Sequence, residues 1–209
     1  MKNNMLAKPF PILFVLFFIC NNAFCNDFNF REITPRNIEI FTDINKDGFD
    51  ELVIAEDKWN SSPIYFEKAN EIDLAIYSNK DRKNLIYKLL KKDMLGLGVE
   101  TLRKVDISSS IDCIWLQYSF VDSLATPRSY LRKVELYQYK NKSLLLIWEK
   151  EWVYFSGGAG QPTQKQDIEI KLKDKNNDGI KEIYAKRDKF DEEIYTYNSG
   201  SEKFVRSSK

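Results

Sequence analysis

The chain has 209 residues, with 32 Lys and Arg against 31 Asp and Glu, and no histidine. Near-zero net charge without a basic block lacks the electrostatic footprint of a nucleic-acid-binding protein. The missing His removes the commonest general base, every Ser-His-Asp or Cys-His arrangement, and the usual nitrogen ligands of zinc.

The first segment in chain order reads as a leader. Lys2 and Lys8, with no acid nearby, precede the apolar run from Ile12 to Cys20. Such a run is too short to cross a bilayer core of about 30 Å as a helix. With small residues at Ala23 and Cys25, it predicts a secretory signal peptide over residues 1–25, cleaved after Cys25. Lipid attachment at Cys20 or Cys25 is the competing route, but Ile19 and Phe24 stand where a small residue would precede the cysteine. The expected product is a periplasmic or secreted chain, residues 26–209, with no integral membrane segment. Removing 25 of 209 residues takes away two lysines and no acid, so the remaining 184 carry 30 basic and 31 acidic side chains. That length supports one self-sufficient core. Only Cys113 survives cleavage, so no intramolecular disulfide is available and any additional staple must be sought among metal ligands.

Beyond the leader, short runs rich in Ile, Val, Tyr, Phe and Trp alternate with turn residues, which predicts an all-β domain. Strands are expected near 37–42, 51–56, 71–78, 84–91, 98–106, 111–121, 130–139, 143–154, 166–173, 181–186, 192–197 and 202–206. Ile168, Ile170 and Leu172 against Glu169, Lys171 and Lys173 show the alternation of a strand with one wet face. Residues 82–94 place Leu85, Ile86, Leu89 and Leu90 at helical spacing, yet the segment also reads as a strand following a polar turn, and strand is the expectation. Ser156 to Pro162 is glycine-rich and predicted as a loop; no Lys-Ser/Thr pair or helix follows it to make a phosphate cradle.

The most informative feature is an internal repeat. Asp43-Ile-Asn-Lys-Asp-Gly-Phe-Asp-Glu51 aligns without a gap on Asp174-Lys-Asn-Asn-Asp-Gly-Ile-Lys-Glu182, and each is followed by an aliphatic residue. Side-chain oxygens at loop positions 1, 3 and 5 converge when the chain curls around an ion, and Gly at position 6 supplies the sharp turn. Hard oxygen donors point to calcium. An EF-hand would place its bidentate Glu at position 12, where this chain has Ile54 and Ala185; here the acid falls at position 9, directly before a strand. The predicted ligand sets are Asp43, Asn45, Asp47, the Phe49 carbonyl and Glu51, and Asp174, Asn176, Asp178, the Ile180 carbonyl and Glu182. The bland alternative is that Asp, Asn and Gly merely make good turns. Uncompensated acids crowded twice in the same pattern weigh against it.

Over residues 38–55 and 168–186 the strand, acidic loop and strand resemble the FG-GAP calcium hairpins of integrin-like β-propellers, and similar loops occur in small exported bacterial β-propeller proteins. The resemblance implies a calcium ion that locks each hairpin and a role in binding other molecules rather than catalysis. The chain departs from the pattern in having Lys181 where the first loop has Asp50, and it carries no Phe-Gly/Gly-Ala-Pro signature. The predicted strands make three sets of four, fewer than the about 4–8 blades of closed propellers. The expected architecture is therefore a compact propeller-like array of antiparallel hairpins, two of them bearing calcium loops.

Other candidate residues read as structural. Trp59, Trp115, Trp148 and Trp152 can stack on sugars, but core packing is their commoner fate. Asp112 and Asp122 are conceivable as a glycosidase pair, although nothing in the sequence sets them across a bond. Cys113 sits among apolar neighbours with no His to activate it. The expected function is that of an exported, non-catalytic calcium-stabilised module acting through a protein partner, with no nucleic acid involved. Within that class, the resemblance to small calcium-containing propeller proteins raises a periplasmic inhibitor or immunity protein for a cell-wall hydrolase. The alternative class is an enzyme acting on envelope polysaccharide.

Overall fold

A computed structural model describes residues 37–58, 69–78, 82–122, 129–156, 164–187, 190 and 192–207. The predicted leader, Trp59, the Asp122 side chain and the body of the glycine-rich loop lie outside the described residues. Strands β1 (Asn37–Thr42), β2 (Glu51–Lys58), β3 (Ala69–Tyr77), β4 (Leu85–Ser108), β5 (Ile111–Asp122), β6 (Ser129–Lys140), β7 (Ser143–Ser156) and the two-residue β8 (Gln164–Lys165) pair in chain order. Strands β9 (Ile168–Lys173), β10 (Glu182–Arg187), β11 (Glu193–Asn198) and β12 (Lys203–Arg206) form a separate sheet. All pairings are antiparallel, and the fold is all-β as the alternation and composition predict.

The long β4 combines two strands expected to be separate. Its first half pairs with β3 as far as Leu95, opposite Ala69; Leu95 also faces Val121, and from Gly98 onward the strand pairs with β5. Val99 donates its N–H to both carboxylate oxygens of Asp57, at the far end of β2, whereas Lys104 reaches the carbonyl of Asp43, just past β1. The second half of β4 therefore runs back alongside the first sheet. Gly96 and Gly98 fall where the partner changes within continuous extended chain. Taken this way, the fold is three four-stranded antiparallel sheets. The first is β1 to early β4, the middle is late β4 to β7 with β8 added at its edge, and the third is β9 to β12.

The middle sheet is buried on both faces, which is why β5 reads Cys-Ile-Trp-Leu rather than alternating with polar residues. Ile114, Leu116 and Tyr118 pack with Val53, Ile72, Leu74 and Ile76 of the first sheet. Cys113 and Trp115, on the opposite face, pack with Ile147, Trp148 and Trp152 and with Ile183 and Phe204 of the third sheet. Trp148 lies edge-on to Tyr195, 5.5 Å between centroids. Burying the apolar part of a side chain of this size stabilises by roughly 1.5–3 kcal/mol, so the two cores fix how the outer sheets lie on the middle one. Among the described residues no helix is long and apolar enough to cross a membrane.

Candidate functional site

Both acidic loops join the first and second strands of an outer sheet, and their backbones match position by position. The fourth residue of each is left-handed (Lys46, φ 62°; Asn177, φ 60°), as is the glycine at position six (Gly48, φ 89°; Gly179, φ 82°). Gly48 N donates to Asp43 Oδ2 and Gly179 N to Asp174 Oδ2, each at 2.9 Å. Asp47 N binds Asn45 Oδ1 at 2.9 Å and Asp178 N binds Asn176 Oδ1 at 3.0 Å. Phe49 and Ile180 donate their N–H groups to Asp47 Oδ1 and Asp178 Oδ1. The glutamate at position nine closes the ring from the following strand: Glu51 Oε2 accepts from Ile44 N, and Glu182 Oε2 from Lys175 N, both at 3.0 Å. Glu51 and Glu182 are buried, at 2% and 5% exposure.

These bonds are Asx-type turn chemistry, and in the second loop they leave carboxylate oxygens gathered near one point. In the second loop, carboxylate oxygens of Asp174, Asp178 and Glu182 lie within 4.8 Å of one another. Asp174 Oδ1 is buried with no hydrogen-bond partner. An orphaned buried carboxylate oxygen is costly, and a hard cation would satisfy it. In the first loop the Asn45 amide nitrogen lies between the acids, donating to Asp47 Oδ2 and Glu51 Oε1. Burial pushes the Glu51 carboxyl upward and the charges of Asp47 and Asp43 push it the same way, while the Ile44 N–H opposes them. Both loops thus concentrate oxygen donors and negative charge, but among the described residues only the second brings three carboxylates together in the way a hard cation uses. Asn45 and Asn176 would join as ligands only by turning their amide oxygens inward. Phe49 and Ile180 donate their N–H groups within the loops, which leaves their carbonyls free of that role.

A further set of residues, invisible to local spacing, joins the two loops. The turn Ser109-Ser110 between β4 and β5 occupies, in the middle sheet, the place that the acidic loops occupy in the outer two. Both loops grip it. Lys46 Nζ donates to Ser109 O at 2.6 Å and lies 3.5 Å from Asp112, while Lys104 pairs with Asp112 at 2.9 Å and donates to Asp43 O at 3.0 Å. From the other side, Lys181 donates its backbone N–H to Ile107 O and its ammonium to Asp106 O, both at 2.9 Å. The Asp112 hydrogen bond holds the Lys104 ammonium above its ordinary value against the opposing effect of burial. Asp112 is therefore engaged by two lysines. Lys181, which departs from the first loop's Asp50, is the residue that reaches the middle sheet.

The remaining candidates whose side chains are described sit in the core. Trp115, Trp148 and Trp152 are buried in the second core. Cys113 is fully buried there, and desolvation followed by the Asp112 and Asp106 charges pushes its thiol far up, so it is a poor nucleophile. Compared with known proteins, the chain matches no family model, no curated protein and no solved structure.

Proposed function

We propose that this chain is an exported, calcium-stabilised, non-catalytic binding module that acts through a protein partner, and that its three sheets form a reduced propeller-like array. The observation that carries the reading is the duplication: two loops far apart in sequence share ligand spacing, left-handed positions and internal hydrogen bonds. Turn formation alone needs neither a buried glutamate at position nine of each loop nor the three converging carboxylates of the second. The propeller-like reading is supported by β4, which leads from the outer edge of one sheet to the first strand of the next. It is also supported by the gathering of both loops around the β4–β5 turn. Calcium in each loop would neutralise the acids and hold the lysines that clasp that turn. Phe49, 74% exposed at the first loop, offers an apolar contact point for a protein beside the metal site.

A thermal melt of residues 26–209 with calcium and with chelator tests the metal. Binding confined to the folded state stabilises by about 2.7 kcal/mol at a hundredfold excess over Kd, so the melting temperature should rise by several degrees. Asp47→Ala and Asp178→Ala should each lower calcium affinity and reduce that rise. Identical melts for parent and variants in both conditions would leave only turn chemistry and overturn the reading.

A further inference from the structure

The two acidic loops share a backbone and differ in how their oxygens are used. In the first, Asp43 Oδ1 accepts from Asp47 N at 3.1 Å, and the Asn45 amide, besides its bond to Asp47, donates to Glu51 Oε1 at 2.8 Å. The Lys104 ammonium adds a bond to Asp43 O. In the second, Asp174 Oδ1 is buried without a hydrogen-bond partner. The Asn176 amide donates to Asp178 Oδ2 at 2.9 Å but, among the described residues, not to Glu182. The positive charges of the second loop are also spent outside it: the Lys175 ammonium lies 4.2 Å from the centre of the Tyr184 ring, and that of Lys181 is bound to Asp106 O. Ile180 packs against the second core and the Lys181 N–H is held by Ile107 O, so the segment leading to Glu182 is fixed. In the first loop the matching position is Phe49, 74% exposed, and the anchor is the buried Ile44 at the loop entry.

A cation entering either loop must displace the donors already bound to its oxygens. Bonds to carboxylates are the stronger, charge-assisted kind, and an oxygen with no donor loses nothing when an ion takes it. We propose that the two loops are unequal calcium sites, the second filling first and the first filling later, because the Asn45 amide and Asp47 N must first release Glu51 and Asp43. The inference rests on the calcium reading and goes beyond it by giving each loop a role. The second is the structural site, filled at low calcium and tied to the middle sheet through Lys181. The first answers to changes in calcium concentration, and its response reaches the exposed Phe49 through the Asp47 carboxylate that accepts the Phe49 N–H. Charge alone predicts the opposite order, since the first loop has Asp50 where the second has Lys181. The order of filling therefore separates the two explanations.

The test is isothermal titration calorimetry of residues 26–209 with calcium chloride, beside Asp47→Asn and Asp178→Asn. The parent should bind in two steps whose Kd values differ by about tenfold or more. Asp178→Asn should remove the tighter step and Asp47→Asn the weaker one. A single step supports the inference if Asp178→Asn alone abolishes it and overturns it otherwise. Two steps of equal affinity, or loss of the tighter step in Asp47→Asn, overturn the inference and leave the calcium reading standing. No heat and no rise in melting temperature up to roughly 10 mM, beyond the Kd of the weakest extracellular calcium modules, end both. Should either variant fail to fold, Asn45→Asp decides. Exchanging the amide donor for a carboxylate should strengthen binding at the first loop by about tenfold and leave the tighter step as it was; an unchanged weaker step in that variant overturns the inference.

Discussion

Gly48 and Gly179 occupy a backbone region that L-residues avoid, at φ 89° and 82°, although a Cβ added at either would meet nothing within 4 Å. Space is therefore not what requires glycine; backbone conformation is. Gly179→Ala should cost about 1–2 kcal/mol, read as a lower melting temperature in chelator, and should weaken calcium binding by shifting the Asp178 and Ile180 amides. A variant that melts like the parent would show that the loop relaxes freely. A second residue-scale expectation concerns acid. Burial raises the Glu193 carboxyl, but the bonds from Lys150 and the Tyr195 hydroxyl more than offset this, so its pKa is lowered. A group depressed on folding contributes stability above its unfolded pKa, near 4.3, and loses it as the pH falls through the lower folded value. The parent should thus be more stable than Glu193→Gln at neutral pH, and the gap should close below about pH 4. A gap independent of pH in chemical denaturation would mean that the Lys150 pair contributes nothing.

At the scale of elements, the lysines are what turn two local loops into a clasp. Lys46 and Lys104 meet at Asp112, while Lys181 holds the carbonyl of Asp106 on the same hairpin. Asp112 is 8% exposed, and removing one partner of a buried pair leaves the other charge uncompensated, at about 3–5 kcal/mol when burial is complete. The lysines here are partly exposed, so Asp112→Asn should cost less, roughly 1–2 kcal/mol. Lys104→Met in the same background should restore part of the loss; additive effects in a double-mutant cycle would refute the pairing. The sequence reading reached the loops and missed this clasp for a physical reason. Ligand spacing within nine residues is a local pattern, whereas Lys46 and Asp112 are 66 positions apart and meet only because β4 doubles back. That doubling back was itself hidden, because residues 84–91 and 98–106 read as two separate strands. Strand positions were legible elsewhere from alternation and turn residues, and the middle sheet's double burial was foreshadowed by the apolar run at 113–116.

For the whole molecule, the shared middle sheet governs how the domain unfolds. Neither core closes without it: β5 supplies Ile114 and Leu116 to one and Cys113 and Trp115 to the other. The third sheet is built from strands of only four to six residues, and with one apolar face it cannot stand alone in water. Ile183, fully buried against the tryptophans, is its central anchor. Ile183→Ala should cost about 2–5 kcal/mol, a fall in melting temperature of roughly 5–15 °C for a domain of this size. Trp115, Trp148 and Trp152 lie in the second core, so with the fourth tryptophan removed as Trp59→Phe in both chains compared, tryptophan fluorescence follows that core, while far-UV circular dichroism follows all three sheets. Coupling through the middle sheet requires the two signals to melt together in the parent and to shift by the same amount in Ile183→Ala. If fluorescence falls first and the far-UV signal later, the third sheet unfolds as its own unit, and the first core survives on β1 to β7 without it.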